Sequence, residues 1–187
     1  HCPLGDDYDV GMERIMPLRG RGELKALSTA PSARDGARTT HQHVDEPHLW
    51  ISPRHLRTHR TMLNNIPKRL EADAWTNETT TMYSPGEGSI AEQAHHAAIA
   101  VDAGETPETN VYFDHRQASD RWNIAKRDEL MEAIREASGD AWEFADPHSI
   151  AGLIQNLEMD GPYFRRVWLN QPSSMAPRMF DVNAWDA

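Results

Sequence analysis

Apolar and polar positions fall into short, separated blocks along this chain, and the spacing inside each block predicts its secondary structure. After Ser52-Pro53, the residues Leu56, Leu63, Ile66 and Leu70 recur at intervals of seven, three and four, which places one apolar stripe along a helix. Ser52 supplies an N-cap, Pro53 suits the first turn, and Pro67 kinks or ends the helix. A second helix opens at the capping box Ser89-Ile90-Ala91-Glu92, runs through an alanine-rich stretch and stops before Gly104. Leu130, Met131, Ile134 and Ala137 form another helical pattern ahead of Gly139, and Ile150, Leu153, Ile154 and Leu157 form one after Asp146-Pro147. A short last helix begins at Pro162 and turns Phe164, Val167 and Trp168 inward.

Strand-like blocks lie before and between these helices. Glu23 to Ser28 alternates weakly, and Thr40 to Asp45 is compatible with a strand, although His41, Gln42 and His43 stand where a buried strand carries Val or Ile. Glu78 to Tyr83 is threonine-rich and is closed by Ser84-Pro85-Gly86. Asn110-Val111-Tyr112-Phe113-Asp114 is the clearest strand of the chain, whereas residues 1–22 show no clear period. The alternation of strands and helices predicts an α/β layer with a mostly parallel sheet. With about four strands, that sheet is smaller than the usual five to six.

Composition narrows the class. The 187 residues suit one domain, or one domain with an extension, and 39% apolar with 26% charged residues is the balance of a folded protein. The net charge of −10 makes the surface as a whole repel nucleic acid, so any DNA contact has to be local. The single cysteine, Cys2, excludes an intrachain disulfide and fits a reducing cytoplasm. No run approaches the roughly 20 apolar residues that cross a bilayer. The N-terminus lacks the apolar core of a signal peptide, and a start at His1 points to a piece of a longer protein.

Candidate chemistry centres on Val44-Asp45-Glu46-Pro47-His48. Two adjacent carboxylates at a strand end can divide the work of nucleotide hydrolysis: one holds water in the shell of Mg²⁺, the other orients or deprotonates the attacking water. A solvated acidic turn has the same sequence. His41, His43 and Asp45 share one face of a strand, and with Glu46 and His48 nearby they have the ligand types of a transition-metal site. Yet ten histidines are scattered widely, His55, His59 and the pair His95-His96 among them, which reads as surface. Arg54, Arg57, Arg60, Lys68 and Arg69 read as a solvated helix face, with phosphate contact as the second reading. Arg34 and Arg38 suit plain loop positions, with contact to nucleotide or a neighbouring subunit as the second reading, and Trp122, Trp142 and Trp168 suit core positions better than base-stacking ones.

Several of these segments, in order, resemble the large terminase subunit of tailed bacteriophages over roughly residues 24 to 185. Thr39-Thr40-His41-Gln42-His43-Val44-Asp45-Glu46-Pro47-His48 looks like the family's second nucleotide-binding motif, and the loop Ser28 to Gly36 like the segment before it. Glu78-Thr79-Thr80-Thr81-Met82-Tyr83 followed by Ser84-Pro85-Gly86-Glu87-Gly88-Ser89 resembles the coupling motif. Val111-Tyr112-Phe113-Asp114-His115-Arg116 and Phe164-Arg165-Arg166-Val167-Trp168-Leu169-Asn170-Gln171-Pro172 resemble the later motor segments.

The resemblance implies a partial P-loop NTPase-like three-layer α/β fold with a mostly parallel sheet, followed by a helical C-terminal extension. Residues 1–116 would form the second half of the ATPase-like domain, and 117–187 a helical linker toward a nuclease domain. It implies Asp45 as the Mg²⁺ residue acting through water, Glu46 as the catalytic residue, and Thr79, Thr80 and Thr81 as coupling residues. In the family the cofactors are ATP and Mg²⁺. The partners are double-stranded DNA, the portal protein, the small terminase subunit and further copies of the chain, without a membrane, in the cytoplasm of the bacterial host.

The departures are equally specific. The sequence has no Gly-Lys dipeptide, so it lacks the G-x-x-x-x-G-K-[ST] loop that cradles phosphates. Two histidines occupy the strand before Asp45, and Pro47 follows where threonine is frequent. The expectation is therefore an internal fragment of the packaging motor that by itself neither hydrolyses ATP nor cuts DNA, and does not bind ATP and Mg²⁺ tightly. The alternatives are a non-catalytic metal-binding module on the clustered histidines, or a degenerate prophage remnant.

Overall fold

The computed structural model describes residues 3–27, 38–107, 110–154 and 160–174. The loop Ser28 to Gly36 with Arg34, the residues 155–159 with Leu157, Cys2, and the stretch from Met175 to Ala187 lie outside the described residues. The architecture is mixed α/β, built on a small two-stranded parallel sheet.

Three short strands come first: β1 (Tyr8–Val10), β2 (Arg14–Pro17) and β3 (Leu24–Lys25). They form an antiparallel sheet in the order β1-β2-β3. The register puts Tyr8, Val10, Ile15, Pro17 and Leu24 on one face and Asp9, Arg14, Met16 and Lys25 on the other. Val10 and Leu24 stay largely exposed on the apolar face. Of the described part of the expected strand at 23–28, Leu24 and Lys25 form the strand β3, with Ala26 N adding a bond to Glu13 O, and the stretch without a clear period holds the two other strands.

The parallel sheet is a βαβ unit. β4 (His41–Asp45) enters it, α1 (Pro53–Asn65) crosses over, and β5 (Trp75–Thr79) returns beside β4 in the register His41↔Trp75 to Asp45↔Thr79. The expected threonine strand is displaced: it begins at Trp75 and ends at Thr79, because β4 stops at Asp45 and offers no partner further on. In α1, Ser52 caps the first turn through His55 N, as the sequence implied, and the helix ends just before Pro67. Its buried positions are Thr58, Met62 and Asn65, while Leu63 is exposed. The inward stripe thus leaves out Leu63, while Leu56 and Ile66 are half-buried. Thr58 tolerates burial because its hydroxyl bonds back to the Arg54 carbonyl at 3.0 Å, and Met62 O accepts from the buried Gln42 of β4 at 3.0 Å.

Helix α2 (Ile90–Asp102) follows its capping box. The segment 111–119 then has no regular structure, with Val111 71% and Tyr112 91% exposed. The most strand-like block of the sequence is therefore unpaired. β-propensity records fit to a half-buried pleated surface, and no described strand lies beside it to make one.

The largest core is helical. It joins α3 (Arg127–Ser138), α4 (Pro147–Leu153) and α5 (Gly161–Trp168) through Ala118, Leu130, Ala133, Ile134, Ile150, Ala151, Phe164 and Leu169. Trp122, Trp142 and Trp168 pack against this cluster, as their positions in the apolar pattern implied. The turn before α3 is tied to it by Glu136, whose Oε2 accepts from Ser119 N and Trp122 Nε1. At the C-terminal end of α3, Gly139 has φ +51°, which favours glycine, and a Cβ there would displace the Arg116 guanidinium above it.

Candidate functional site

The carboxyl ends of the parallel strands meet at one place. Asp45 and Thr79 are register partners at the last rung, and Glu46 N continues the ladder by donating to Thr79 O at 2.9 Å. The chain then leaves β4 sharply. Glu46 adopts the left-handed conformation (φ 50°, ψ 52°), and Pro47–Leu49 forms a single 3-10 turn. A left-handed non-glycine residue here turns the Glu46 side chain across the strand ends, toward the segment leaving β5.

Glu46 Oε2 gathers the contacts. His48 Nδ1 lies 2.8 Å from it, the Thr80 hydroxyl lies 3.3 Å from it and 2.9 Å from Thr81 O, and Thr81 N donates at 3.5 Å. His48 Nδ1 also lies 2.8 Å from Thr80 Oγ1, and His48 N donates to that oxygen at 3.4 Å. The carboxylate is part-exposed at 41%, so its bonds hold it in place without sealing it from water. Asp45 is exposed and has no hydrogen bond or ion pair with a described residue. One carboxylate is held and the other is open, although they are adjacent in sequence.

The sequence-derived residues Asp45, Glu46, Thr79, Thr80 and Thr81 thus lie together. His48, a possible metal ligand by residue type, contacts Glu46, a pairing the sequence pattern does not state. Its place two residues after Glu46, with a proline between, is the signal that the chain turns back within reach.

The other histidines disperse. His41 and His43 share the exposed face of β4 with Asp45, as strand periodicity requires. However, His41 Nε2 pairs with Asn77 Oδ1 at 2.8 Å, and His43 Nε2 lies 3.5 Å from Thr79 Oγ1. On α1, His59 Nε2 meets Glu78 Oε1 at 2.6 Å. Among the described residues, no group of three His, Cys, Asp or Glu side chains is placed to hold a metal ion. Among the described residues, no helix is long and apolar enough to cross a membrane.

The turn after the threonines is fixed from α2. Ser89 Oγ accepts from Glu92 N, as a capping box requires. The Glu92 carboxylate, nearly buried, reaches further back than usual and accepts from Gly86 N and Gly88 N, both at 2.6 Å. Replacing Glu92 by glutamine turns one acceptor into a donor facing a backbone N–H. That change is expected to cost about 1–3 kcal/mol in equilibrium unfolding; unchanged stability would mean that the glycine turn holds itself.

No protein-family model, curated protein or solved structure matches the chain.

Proposed function

We propose that this chain is part of an ATP-driven DNA-packaging motor of the terminase large-subunit kind, and that its parallel strands belong to a P-loop NTPase-like sheet. One observation carries the reading: Asp45-Glu46 and Thr79 to Thr81 converge at the carboxyl ends of two adjacent parallel strands, where Glu46 bonds to Thr80 and Thr81. In open α/β sheets, ligands bind outside the carboxyl ends of the strands. Asp45, an open carboxylate of the hard oxygen type that Mg²⁺ prefers, would hold water of the ion's shell. Glu46 would orient the attacking water. Thr80 and Thr81, touching that same carboxylate, would sense its position and pass it along the chain.

The phosphates need donors that this sequence does not carry, since no G-x-x-x-x-G-K-[ST] loop is present. The partners in this reading are the loop-bearing part of the motor, double-stranded DNA, the portal protein, the small terminase subunit and further copies, in the bacterial cytoplasm. Two outcomes are expected. The purified chain alone gives no Mg²⁺-dependent ATP turnover, and the DNA flanking its coding segment encodes a phosphate loop upstream and acidic nuclease strands downstream. Turnover by the chain alone, lost in Glu46→Gln, would overturn the need for an external loop. Flanking frames without either motif would sink the motor reading.

A further inference from the structure

The segment 110–117 keeps its place without strand pairing, and the groups that hold it form one cluster. Tyr83, just beyond the threonines, is buried and its hydroxyl lies 3.0 Å from His95 Nδ1 on α2. The His95 ring stacks on Phe113 at 5.5 Å and tilts against His115 at 4.9 Å between centroids. His115 in turn meets Asn170, the residue after the α5 cap. Asn170 Nδ2 donates to the Arg116 carbonyl at 2.6 Å and lies 3.4 Å from His115 Nδ1.

The donor and acceptor pattern is self-consistent for one protonation state. Asn170 presents its NH₂ group, so His115 Nδ1 has to be the acceptor, and His115 Nε2–H then donates to Gln117 Oε1 at 3.1 Å. Burial, followed by the nearby Glu92 carboxylate, raises the Tyr83 pKa, so the phenol keeps its proton in its contact with His95 Nδ1. A proton added to His115 Nδ1 would face the Asn170 NH₂ donor, and charge on both rings, 4.9 Å apart, would be repulsive. We propose that Tyr83, His95, His115 and Asn170 form a clasp that joins α2, the 110–117 segment and the end of α5, and that it stays closed only while both imidazoles are neutral.

The surrounding groups give a proton little compensation. From the segment after β5, Tyr83 is the titratable neighbour. From α2 they are His96, whose ring meets Tyr83 edge-on at 6.1 Å, and Glu92, whose carboxylate is engaged by two glycine N–H groups. From the segment itself they are His115 and the pair Asp114–Arg116 at 3.8 Å. Burial first, then His115 and His96, lowers the His95 pKa below the ordinary histidine value. The sign follows: the unfolded or opened chain takes up the proton first, so the clasp is intact above the ordinary value of about 6.5 and weakens as pH falls below it. This inference stands on the cluster alone and does not rest on the motor reading.

The test is NMR of the whole chain at about pH 7.5 and about pH 5.5, either side of that ordinary histidine value. Ring-to-ring cross-relaxation between His95 and Phe113 is expected at the higher pH and lost at the lower, while contacts between Ile134 and Phe164 persist as a control. In the double variant His95→Gln, His115→Gln, contacts between Phe113 and residue 95 are expected to persist at both pH values. Persistence of the wild-type His95–Phe113 signal at the lower pH would overturn the proposal, and so would its loss at both. Should the double variant fail to fold, His115→Gln alone serves. Removing one imidazole is expected to raise the His95 titration midpoint, and an unmoved midpoint would show that the two rings do not act together.

Discussion

Phe164→Ala is expected to remove about 3–5 kcal/mol of stability, a large part of what a domain of this size possesses. Phe164 is fully buried, and it sits in one cluster with Leu130, Ala133 and Ile134 of α3, Ile150 and Ala151 of α4, and Leu169. Each of the three helices closes its apolar side largely on this cluster, so the void left by the ring cannot be filled by moving one of them. Trp122, Trp142 and Trp168 line the same cluster, and their fluorescence in a urea titration reads the loss directly. Phe164→Leu keeps most of the volume and is expected to cost less than about 1.5 kcal/mol. Leu63→Ala, at an exposed position, is expected to stay within about 0.5 kcal/mol. A Phe164→Ala loss no larger than that of Leu63→Ala would mean that these helices do not share a core.

The second large effect is chemical. When the chain is joined to a segment that supplies a phosphate loop, Glu46→Gln is expected to lower ATP turnover by about 10²–10⁴-fold, the span of a positioned general base. Glutamine keeps an oxygen for Thr80 and Thr81 but cannot take a proton, so the fold and the threonine contacts survive while turnover falls. His48→Gln separates positioning from chemistry. The carboxylate remains, and loss of the 2.8 Å contact to Oε2 is expected to lower turnover less than Glu46→Gln does. Undiminished turnover in Glu46→Gln would remove Glu46 from the chemistry, and the Asp45-Glu46 pair would then be a solvated turn.

Local signals with a mechanism were legible in the sequence. The caps at Ser52 and Ser89 bond as their residue types imply, because an N-cap depends only on its own first turn. The helices around Ile134 and Phe164 follow from apolar spacing, since each needs one buried face and the spacing states which. What failed depended on partners. The strength of Val111-Tyr112-Phe113 as a strand says nothing about whether another strand lies beside it. The end of β5 is decided by where β4 turns away, some thirty residues earlier in the chain. In the site, the carboxylates and threonines could be named from their motif. Their contact could not, because it depends on the parallel register and on a left-handed backbone at a residue with no such preference.

That left-handed residue has a consequence for how position 46 changes under drift. Glycine adopts this conformation without penalty, whereas an L-residue gives up about 1–2 kcal/mol there. Where the carboxylate's contacts to His48, Thr80 and Thr81 no longer matter, the backbone at this turn favours glycine over glutamate, and asparagine also fits it better. Chance therefore runs against glutamate at position 46, and sequencing of close variants would read that pressure. Glycine or asparagine should accumulate there wherever the carboxylate has become idle, and glutamate should persist wherever it is still used.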